Sequence, residues 1–578
     1  MTTLARRLPA VLLLTVVLAL SAFAVPALAA TSPSSADGPG LAQGVEPSLF
    51  PVNDFHGTPP GFSVSPRQAV AIAETSPTAI AIHRRDHHLQ YVVYVWLGSH
   101  YEIYFASHGT VVADVLVGAK GHLGSTFTGP LIFGLYARGH YSPFFDHWYV
   151  WAPFALLFLL PFVPWRRRRL GLRHLDVLAL LSFGASYLLF DAAHLQAAVW
   201  AFYPPLLYLL ARMLRLGFRP DKLRRELDGG LPLWMLAGGL LLMVAARISF
   251  ALLPVNGVMD VGYASEIGAW HILHGQPIYY PALDHPDTYG PIAYLAYAPF
   301  EAIWPWHGLW NYLTAARAAS ISFDTLTMLG LFLLGRQLRG GRPGTRLGLL
   351  LAWGWAANPF TLLSITKSTN DSLLAMLIVF ALLALSRPIV RGALVGLAAA
   401  AKFFPAVLLP LFAAGHGERD RSRASRTIAA CLIVSVGSVA IFLPPGGISE
   451  FWSHTLGFQL SRTDIFSIWA LHPTLGPAKD LVTAGALGIA LLVALRPRGP
   501  RTVPQVAALA AAVTIALQLP AVHWFYFYIE WFLPFVLVAL LALESRTTEG
   551  PVVAEPAAPT ELTAPLPAVD RREPVGVA

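Results

Sequence analysis

One carboxylate of this chain stands where an ionisable side chain could do chemistry at a membrane surface. Asp260 follows the apolar run 231–253 closely, within a stretch, 254–291, that is polar, aromatic and rich in Gly and Pro. Burial at the rim of an apolar bundle raises the pKa of a carboxylic acid, which suits a general base. We therefore predict that Asp260 removes the proton from a substrate hydroxyl group. In the alternative, Asp260 caps a surface helix that begins near Val261.

The same stretch ends in side chains that suit a polar substrate. They are Tyr279, Tyr280, Asp287 and Tyr289. Aromatic rings can stack on the face of a sugar, and we predict that these four residues bind substrate. An aromatic belt at the membrane interface would show the same tyrosines, so that alternative stays open.

Two cations are candidates for binding a phosphate group at this membrane face. Lys402 lies where the short apolar runs 390–402 and 404–414 meet, at a proline that must break a helix. Arg462 lies in a polar loop further along. Arginine can bind phosphate oxygens in bidentate fashion, and lysine acts as a point charge. Either side chain could instead extend towards lipid head groups.

Five further polar residues are assigned from their positions in apolar segments. Arg317, near the outer end of its segment, is a third candidate for phosphate, and Asp324 lies deeper and is expected to satisfy a neighbouring helix. Asn370, Asp371 and His523 are predicted to contact substrate, although a lone interfacial histidine is often only an interfacial residue. Polar groups gathered at one membrane face are costly in a purely structural bundle, so they indicate a site.

The composition of the chain indicates what must position these residues. Of its 578 residues, 55% are hydrophobic and 12% are charged, against about 25% charged in soluble domains. The net charge is +8, but the basic residues form short clusters between apolar runs, so we predict no nucleic-acid partner. The single cysteine, Cys431, excludes a disulfide within the chain and leaves His and carboxylates as metal ligands.

The apolar segments predict a polytopic helical membrane protein with about 11 to 13 spans. They lie near 148–165, 174–193, 198–217, 231–253, 309–335, 346–364, 370–387, 426–444, 478–496, 502–520 and 525–543, with the two short runs at Lys402 in addition. Clusters of Lys and Arg then place the candidate site on the exported face of the plasma membrane. This orientation requires that 292–303, which contains Pro299 and Glu301, lies at the surface without crossing.

Six regions follow from these patterns. They are a signal peptide or signal anchor at 1–30, a flexible tether at 31–60, an extracytoplasmic α+β module at 61–147, three additional transmembrane helices at 148–230, a transmembrane core at 231–544, and a disordered cytoplasmic tail at 545–578. In the module, one helix precedes the strand-like runs 91–96, 100–106 and 110–117.

The module resembles PepSY-type domains. The likeness depends on the helix positions 69–73, on Trp96 in a strand, and on Thr128-Gly129 near the end. This resemblance implies a binding or regulatory module without catalysis.

The core resembles a family of membrane enzymes over residues 231–544. The matching features are Asp260 with Gly-Gln-Pro-Ile-Tyr at 275–279 and Tyr-Gly-Pro at 289–291, Asn-Pro at 358–359 with Asn-Asp-Ser-Leu-Leu at 370–374, the run 396–405 that contains Lys402, and the loop 458–471. Together they resemble the GT-C glycosyltransferases, in particular glycosyltransferase family 87 with its domain of unknown function 2029. His-Pro-Asp-Thr-Tyr-Gly at 285–290 departs from the more usual Tyr-Pro-Pro.

The resemblance implies a fold, a reaction and its partners. A GT-C-like membrane protein would transfer a hexose, most simply mannose, from a polyprenyl-phosphate donor to an extracytoplasmic cell-envelope glycan or glycolipid. Asp260 would be the base, and Lys402 and Arg462 would stabilise the leaving phosphate. No metal is required; if a divalent metal is used, Asp260 and Asp287 are the first ligands to examine. The alternatives are a transporter or flippase of lipid-linked glycans and a non-catalytic scaffold with an exported binding module.

Overall fold

The computed structural model describes residues 49–542, except 53, 87–88, 97–99, 108–109, 129–147, 164–171, 192–193, 220–229, 254–257, 280–287, 307–312, 416–419, 462–465 and 497–498. The predicted signal segment 1–30, most of the predicted tether and the predicted tail 545–578 lie outside these residues. So do three predicted site residues, Tyr280, Asp287 and Arg462.

The N-terminal module contains a five-stranded antiparallel sheet in the order β1-β2-β3-β4-β5. The strands are β1 (Leu49–Pro51), β2 (Gln90–Trp96), β3 (His100–Ser107), β4 (Thr110–Gly118) and β5 (Leu123–Thr128). β1 falls inside the predicted tether and pairs with β2. The sheet therefore begins earlier in the chain than the sequence predicted. A strand of three residues is too short to show an alternating pattern of apolar and polar residues.

Two helices precede the four long strands, where the sequence predicted one. Ser65 accepts a backbone bond from Gln68 and forms a capping box at the start of α1 (Pro66–Glu74). Ser76 accepts a backbone bond from Ala79 and so caps the start of α2 (Pro77–His83). Each helix also has proline in its first turn, where no intrahelical donor is lost.

One face of the sheet forms the core of this module. In β3, Tyr101, Ile103 and Phe105 are fully buried, and Tyr104, which points to the other face, is 6% exposed. The first three pack with Ala69 and other apolar residues of the module in one cluster.

The remainder of the described chain is helical. Its helices are α3 (Trp148–Leu159), α4 (Leu172–Asp191), α5 (Leu195–Phe218), α6 (Leu233–Ala251), α7 (Asp260–Leu273), α8 (Pro291–Leu295), α9 (Ala298–Glu301), α10 (Thr314–Arg339), α11 (Gly341–Ala356), α12 (Pro359–Thr366), α13 (Asp371–Leu383), α14 (Pro388–Ala401), α15 (Leu409–Ala414), α16 (Arg421–Ile441), α17 (Gly447–Trp452), α18 (Phe458–Ser461), α19 (Ile468–Leu471), α20 (Gly476–Leu495), α21 (Val503–Gln518) and α22 (Ile529–Leu541).

Within the described residues, six helices are long and apolar enough to cross a membrane, or seven if the bent pair α11–α12 counts as one span. The chain is thus a polytopic helical membrane protein with a small sheet module, as predicted, although fewer helices have spanning length. Several other predicted spans are shorter apolar helices. One of these is α22, with 13 residues, or about 20 Å against the roughly 30 Å of a hydrocarbon core. All but one of the residues of α22 are buried, so protein rather than lipid surrounds this short helix.

Two irregular features agree with the sequence. The helix α14 ends at Ala401, Lys402 is extended, and Phe404–Leu408 forms a 3-10 turn before α15. The helix is therefore interrupted where the sequence predicted a break, at Pro405. The segment predicted to stay at the surface contains only the short helices α8 and α9, neither of which is long enough to span.

A buried carboxylate connects three helices. Arg247 of α6 donates to both carboxylate oxygens of Asp324 in α10, at 2.6 and 3.2 Å, and Trp355 of α11 donates to the same carboxylate at 2.7 Å. Asp324 therefore satisfies a neighbouring helix, as expected. A carboxylate with three such donors is fully engaged in structure.

Candidate active site

The candidate site is centred on a buried ion pair between two predicted residues. Lys402 Nζ lies 2.5 Å from Asp371 Oδ1, and the two side chains are 9% and 2% exposed. Asp371 begins α13 and Lys402 follows the end of α14. The helix break at Lys402 thus places a cation opposite the first residue of another helix.

Two aromatic rings enclose the lysine. The Nζ atom of Lys402 lies 5.1 Å from the ring centroid of Tyr289 and 5.3 Å from that of Trp531, distances at which a cation is attracted to a ring face. The indole Nε1 of Trp531 also donates to Asp371 Oδ1 at 2.8 Å. Trp531 was missed by sequence reasoning, because a tryptophan in an apolar helix resembles any other interfacial aromatic residue.

Further aromatic contacts fix the orientation of Trp531. Its ring stacks on Phe404 at 4.5 Å and on Tyr528 at 4.0 Å between centroids. The predicted contact residue His523 is half-buried and meets Tyr528 edge to face at 6.2 Å. The His523 ring thus contacts Tyr528, which stacks on Trp531, and it is Trp531 that donates to Asp371 of the ion pair.

A glycine allows the Tyr289 segment to approach the lysine. A side-chain Cβ at Gly290 would lie 2.0 Å from the carbonyl oxygen of Ala400, far inside van der Waals contact. The Gly290 amide instead donates to the Ala401 carbonyl at 3.1 Å. The Tyr-Gly-Pro motif therefore has a packing reason here, because only glycine lets the loop reach the end of α14.

Hydrogen bonds between tyrosines shape the same loop. Tyr279 donates to the Tyr289 carbonyl at 2.7 Å, and the Tyr289 amide donates to the hydroxyl of Tyr294 at 3.1 Å. The Tyr279 ring also meets Phe451 at 5.3 Å. Tyr279 is 1% exposed, so its main contacts here are with the loop.

The start of α7 packs against the turn that precedes Asp371. The Met259 amide donates to the Lys367 carbonyl at 2.8 Å. A Cβ at Gly262 would lie 2.3 Å from the Ser368 carbonyl oxygen, and Ser368 itself has a φ of 53°. The backbone of Asp260 is therefore held next to residues 367–371, while its side chain lies outside the described part of the chain.

Two predicted residues have other partners. Asn370 donates to Ser265 Oγ of α7 at 3.1 Å, so it joins α7 to the turn. Arg317 is 1% exposed and donates from Nη1 to the Ala251 carbonyl at 2.7 Å. A phosphate could reach Arg317 only if this part of the bundle opened.

Among the described residues, no group of three His, Cys, Asp or Glu side chains could hold a metal ion. The two ligands considered from the sequence, Asp260 and Asp287, lie outside this search.

One comparison with known proteins bears on the site. Residues 288–524 match the family model of glycosyltransferase family 87, and no curated protein matches the chain at a significant level. The match confirms the resemblance to this family and implies that the chain is a glycosyltransferase. It includes Tyr289, Asp371 and Lys402, and it begins after Asp260. The likeness of the N-terminal module to PepSY domains stays a prediction.

Proposed function

We propose that this membrane glycosyltransferase transfers a hexose, with mannose the first candidate, from a polyprenyl-phosphate donor to a cell-envelope glycan or glycolipid. The observation that carries the proposal is the Asp371–Lys402 pair between the rings of Tyr289 and Trp531. It combines a cation suited to phosphate, a carboxylate suited to hydroxyl groups and two aromatic faces. A phosphate-linked sugar can use each of these features, because it presents a phosphate, hydroxyl groups and an apolar ring face.

Asp371 is suited to hold a sugar hydroxyl. Both of its described donors, Lys402 and Trp531, bind to Oδ1, so Oδ2 has no donor among the described residues. An ionised carboxylate can accept at both oxygens. Oδ2 is therefore available to a hydroxyl of the donor sugar, and the two bonds at Oδ1 fix its direction.

The reaction is a direct displacement at the anomeric carbon. Asp260 accepts the proton of the acceptor hydroxyl as that oxygen forms a bond to the anomeric carbon. The bond between this carbon and the phosphate oxygen breaks, and polyprenyl phosphate leaves with the electron pair. Lys402 and Arg462 stabilise the leaving phosphate, and a cation that is shielded from water, as Lys402 is, has the larger effect. Arg317 is a further phosphate ligand if the bundle opens.

Donor and acceptor would meet at the exported face of the plasma membrane. Lysine and arginine clusters support an extracytoplasmic N-terminal module and a cytoplasmic C-terminus. A lipid-borne donor agrees with this arrangement, because the sequence contains no glycine-rich nucleotide-binding loop.

The deciding experiment supplies purified protein in lipid nanodiscs with a radiolabelled polyprenyl-phosphate sugar and extracted cell-envelope acceptors. We expect transfer by the wild type and loss of transfer in Asp260→Asn and in Asp371→Asn. Transfer at the wild-type rate by Asp260→Asn would refute the assignment of the base. Absence of transfer with every donor and acceptor would favour the flippase or scaffold alternatives.

A further inference from the structure

A second polar cluster lies further along α7, separate from the ion pair. Glu266 and Trp270 lie one turn apart on α7 and share a face of the helix. Glu301, the last residue of α9, and Trp306 lie beside them: the rings of Trp270 and Trp306 are 5.7 Å apart. The family resemblance assigned no role to any of these four side chains.

Two buried polar atoms of this cluster lack a hydrogen-bond partner among the described residues. Glu301 is 1% exposed; its Oε1 accepts from the Trp306 amide at 2.6 Å, while its Oε2 is buried and unpaired. The indole Nε1 of Trp306 is likewise buried and unpaired. A buried polar atom without a partner costs about 1–3 kcal/mol. An acceptor and a donor are therefore left open on two residues whose backbone amide and carboxyl group already share a hydrogen bond.

The aromatic side chains connect these atoms to the surface. Trp270 and Trp306 are half-buried, and the exposed His274 stacks on Trp270 with 4.2 Å between ring centroids. The rings meet edge to face, with 78° between the planes of Trp270 and Trp306. Aromatic rings thus form the more exposed part of the cluster, and the carboxyl groups form its buried part.

We propose that this cluster is a subsite for a neutral sugar unit of the acceptor. One sugar hydroxyl would donate to Glu301 Oε2 and accept from Trp306 Nε1, since a hydroxyl is the small group that both gives and accepts a bond. The apolar face of the sugar would rest on Trp270 or Trp306. This inference depends on the proposed function, because it names part of the acceptor.

The charge of the cluster supports a neutral ligand. Burial raises the pKa of Glu266 to about 8; the hydrogen bond from the Ala316 amide opposes this shift, and the negative charge of Glu301 adds to it. Burial also raises the pKa of Glu301, to about 7. With these raised pKa values both carboxyl groups carry a proton for part of the time near neutral pH, even though Arg317 and His274 oppose the shifts, so the cluster offers neutral hydrogen-bonding groups to a ligand. A protonated carboxyl can in addition donate to a sugar oxygen.

The position of the cluster agrees with an extended acceptor. Glu266 follows Asp260 by six residues on the same helix, which corresponds to about 9 Å along its axis. At 3.6 residues per turn the two positions also lie about 120° apart around the helix axis, so an acceptor that reaches both must extend over more than one sugar unit.

Glu301 and Trp306 are better test positions than Glu266. Glu266 accepts from the Ala316 amide at 2.7 Å, in the first turn of α10, so its replacement would disturb that helix. Glu301→Gln keeps an oxygen that can accept from the Trp306 amide and replaces only Oε2, by an amide nitrogen. Trp306→Phe keeps a ring and removes the indole donor. Glu450→Gln is the matched control, because Glu450 also accepts from a backbone amide, that of Gly446 at 2.6 Å.

The test measures saccharide binding without any donor. Full-length protein in nanodiscs is titrated calorimetrically with the methyl glycosides of mannose, glucose and galactose and with a mannose disaccharide. We expect at least one saccharide to bind the wild type and Glu450→Gln equally, and to bind Glu301→Gln and Trp306→Phe about tenfold more weakly, which corresponds to about 1.4 kcal/mol. Thermal unfolding of each variant identifies those that fail to fold. In the transfer assay the two variants should raise the KM for acceptor and leave the KM for donor unchanged.

The outcomes separate this inference from the proposed function. Equal saccharide binding by the wild type and both variants, or binding of none of these saccharides by the wild type, would overturn the subsite even if transfer is observed. Weaker binding by both variants together with a complete absence of transfer would keep the subsite and reject the transferase.

Discussion

Replacement of Trp531 by phenylalanine tests the geometry of the candidate site most directly. The indole of Trp531 is stacked on Phe404 and Tyr528 and donates one hydrogen bond to Asp371 at 2.8 Å. Phenylalanine can keep both stacking contacts and cannot make the hydrogen bond. We expect Asp371 to stay paired with Lys402 and to lose part of its fixed orientation.

The expected size of the effect follows from the type of bond. A hydrogen bond to a charged group contributes about 1.5–3 kcal/mol, and about 1.4 kcal/mol corresponds to a factor of ten. If that bond orients Asp371 towards the sugar, kcat/KM for the donor should fall by about tenfold to a hundredfold. The loss should appear mainly in kcat, because an oriented carboxylate contributes most in the transition state.

The assay is sugar transfer by Trp531→Phe with Trp469→Phe as the control. Trp469 is also half-buried, and its indole donates to the Leu519 carbonyl at 2.7 Å, so the control loses an equivalent bond elsewhere. Because Trp531 is proposed to act through Asp371, adding Trp531→Phe to Asp371→Asn should cause little further loss. Equal activity of the two tryptophan variants, or fully additive losses in the double variant, would refute the reasoning.

Three further predictions concern stability and the reaction. In the N-terminal module, burial and then the neighbouring Glu102 raise the pKa of Asp114 to about 8. The folded module therefore binds a proton that the unfolded chain releases near pH 4, so the stability of the module should fall as the pH rises from about 4 to about 8. Asp114→Asn should flatten this pH dependence, measured by hydrogen exchange of β3 and β4 in the full-length protein. Asp324→Asn should destabilise the bundle by about 3–5 kcal/mol because it leaves Arg247 buried without its counter-ion. Thermal unfolding in nanodiscs measures this, and an unchanged midpoint would contradict it. EDTA should leave the transfer rate unchanged, and a loss that Mn²⁺ or Mg²⁺ restores would show that a metal takes part.

The local features of this chain were predictable because they depend on neighbouring residues. The strand-like runs of the N-terminal module and the helix break at Lys402 were each indicated by a short pattern, and the structure confirms them. The number of spanning helices was less predictable. Hydropathy shows that a segment is apolar, but it does not show whether lipid or protein surrounds it. The buried helix α22 is as apolar as a membrane span.

The sequence by itself determined the membrane class, the sheet module and most members of the candidate site. Residue type and the order of motifs were sufficient to select Asp371, Lys402 and Tyr289, and the family comparison includes all three. Only the tertiary structure decided which groups meet. It paired Lys402 with Asp371, brought Trp531 to the same carboxylate from a distant helix, and buried Arg317. The physical reason is that contacts between residues far apart in sequence depend on helix packing, and close approaches such as that of Gly290 to Ala400 appear only when the helices are assembled.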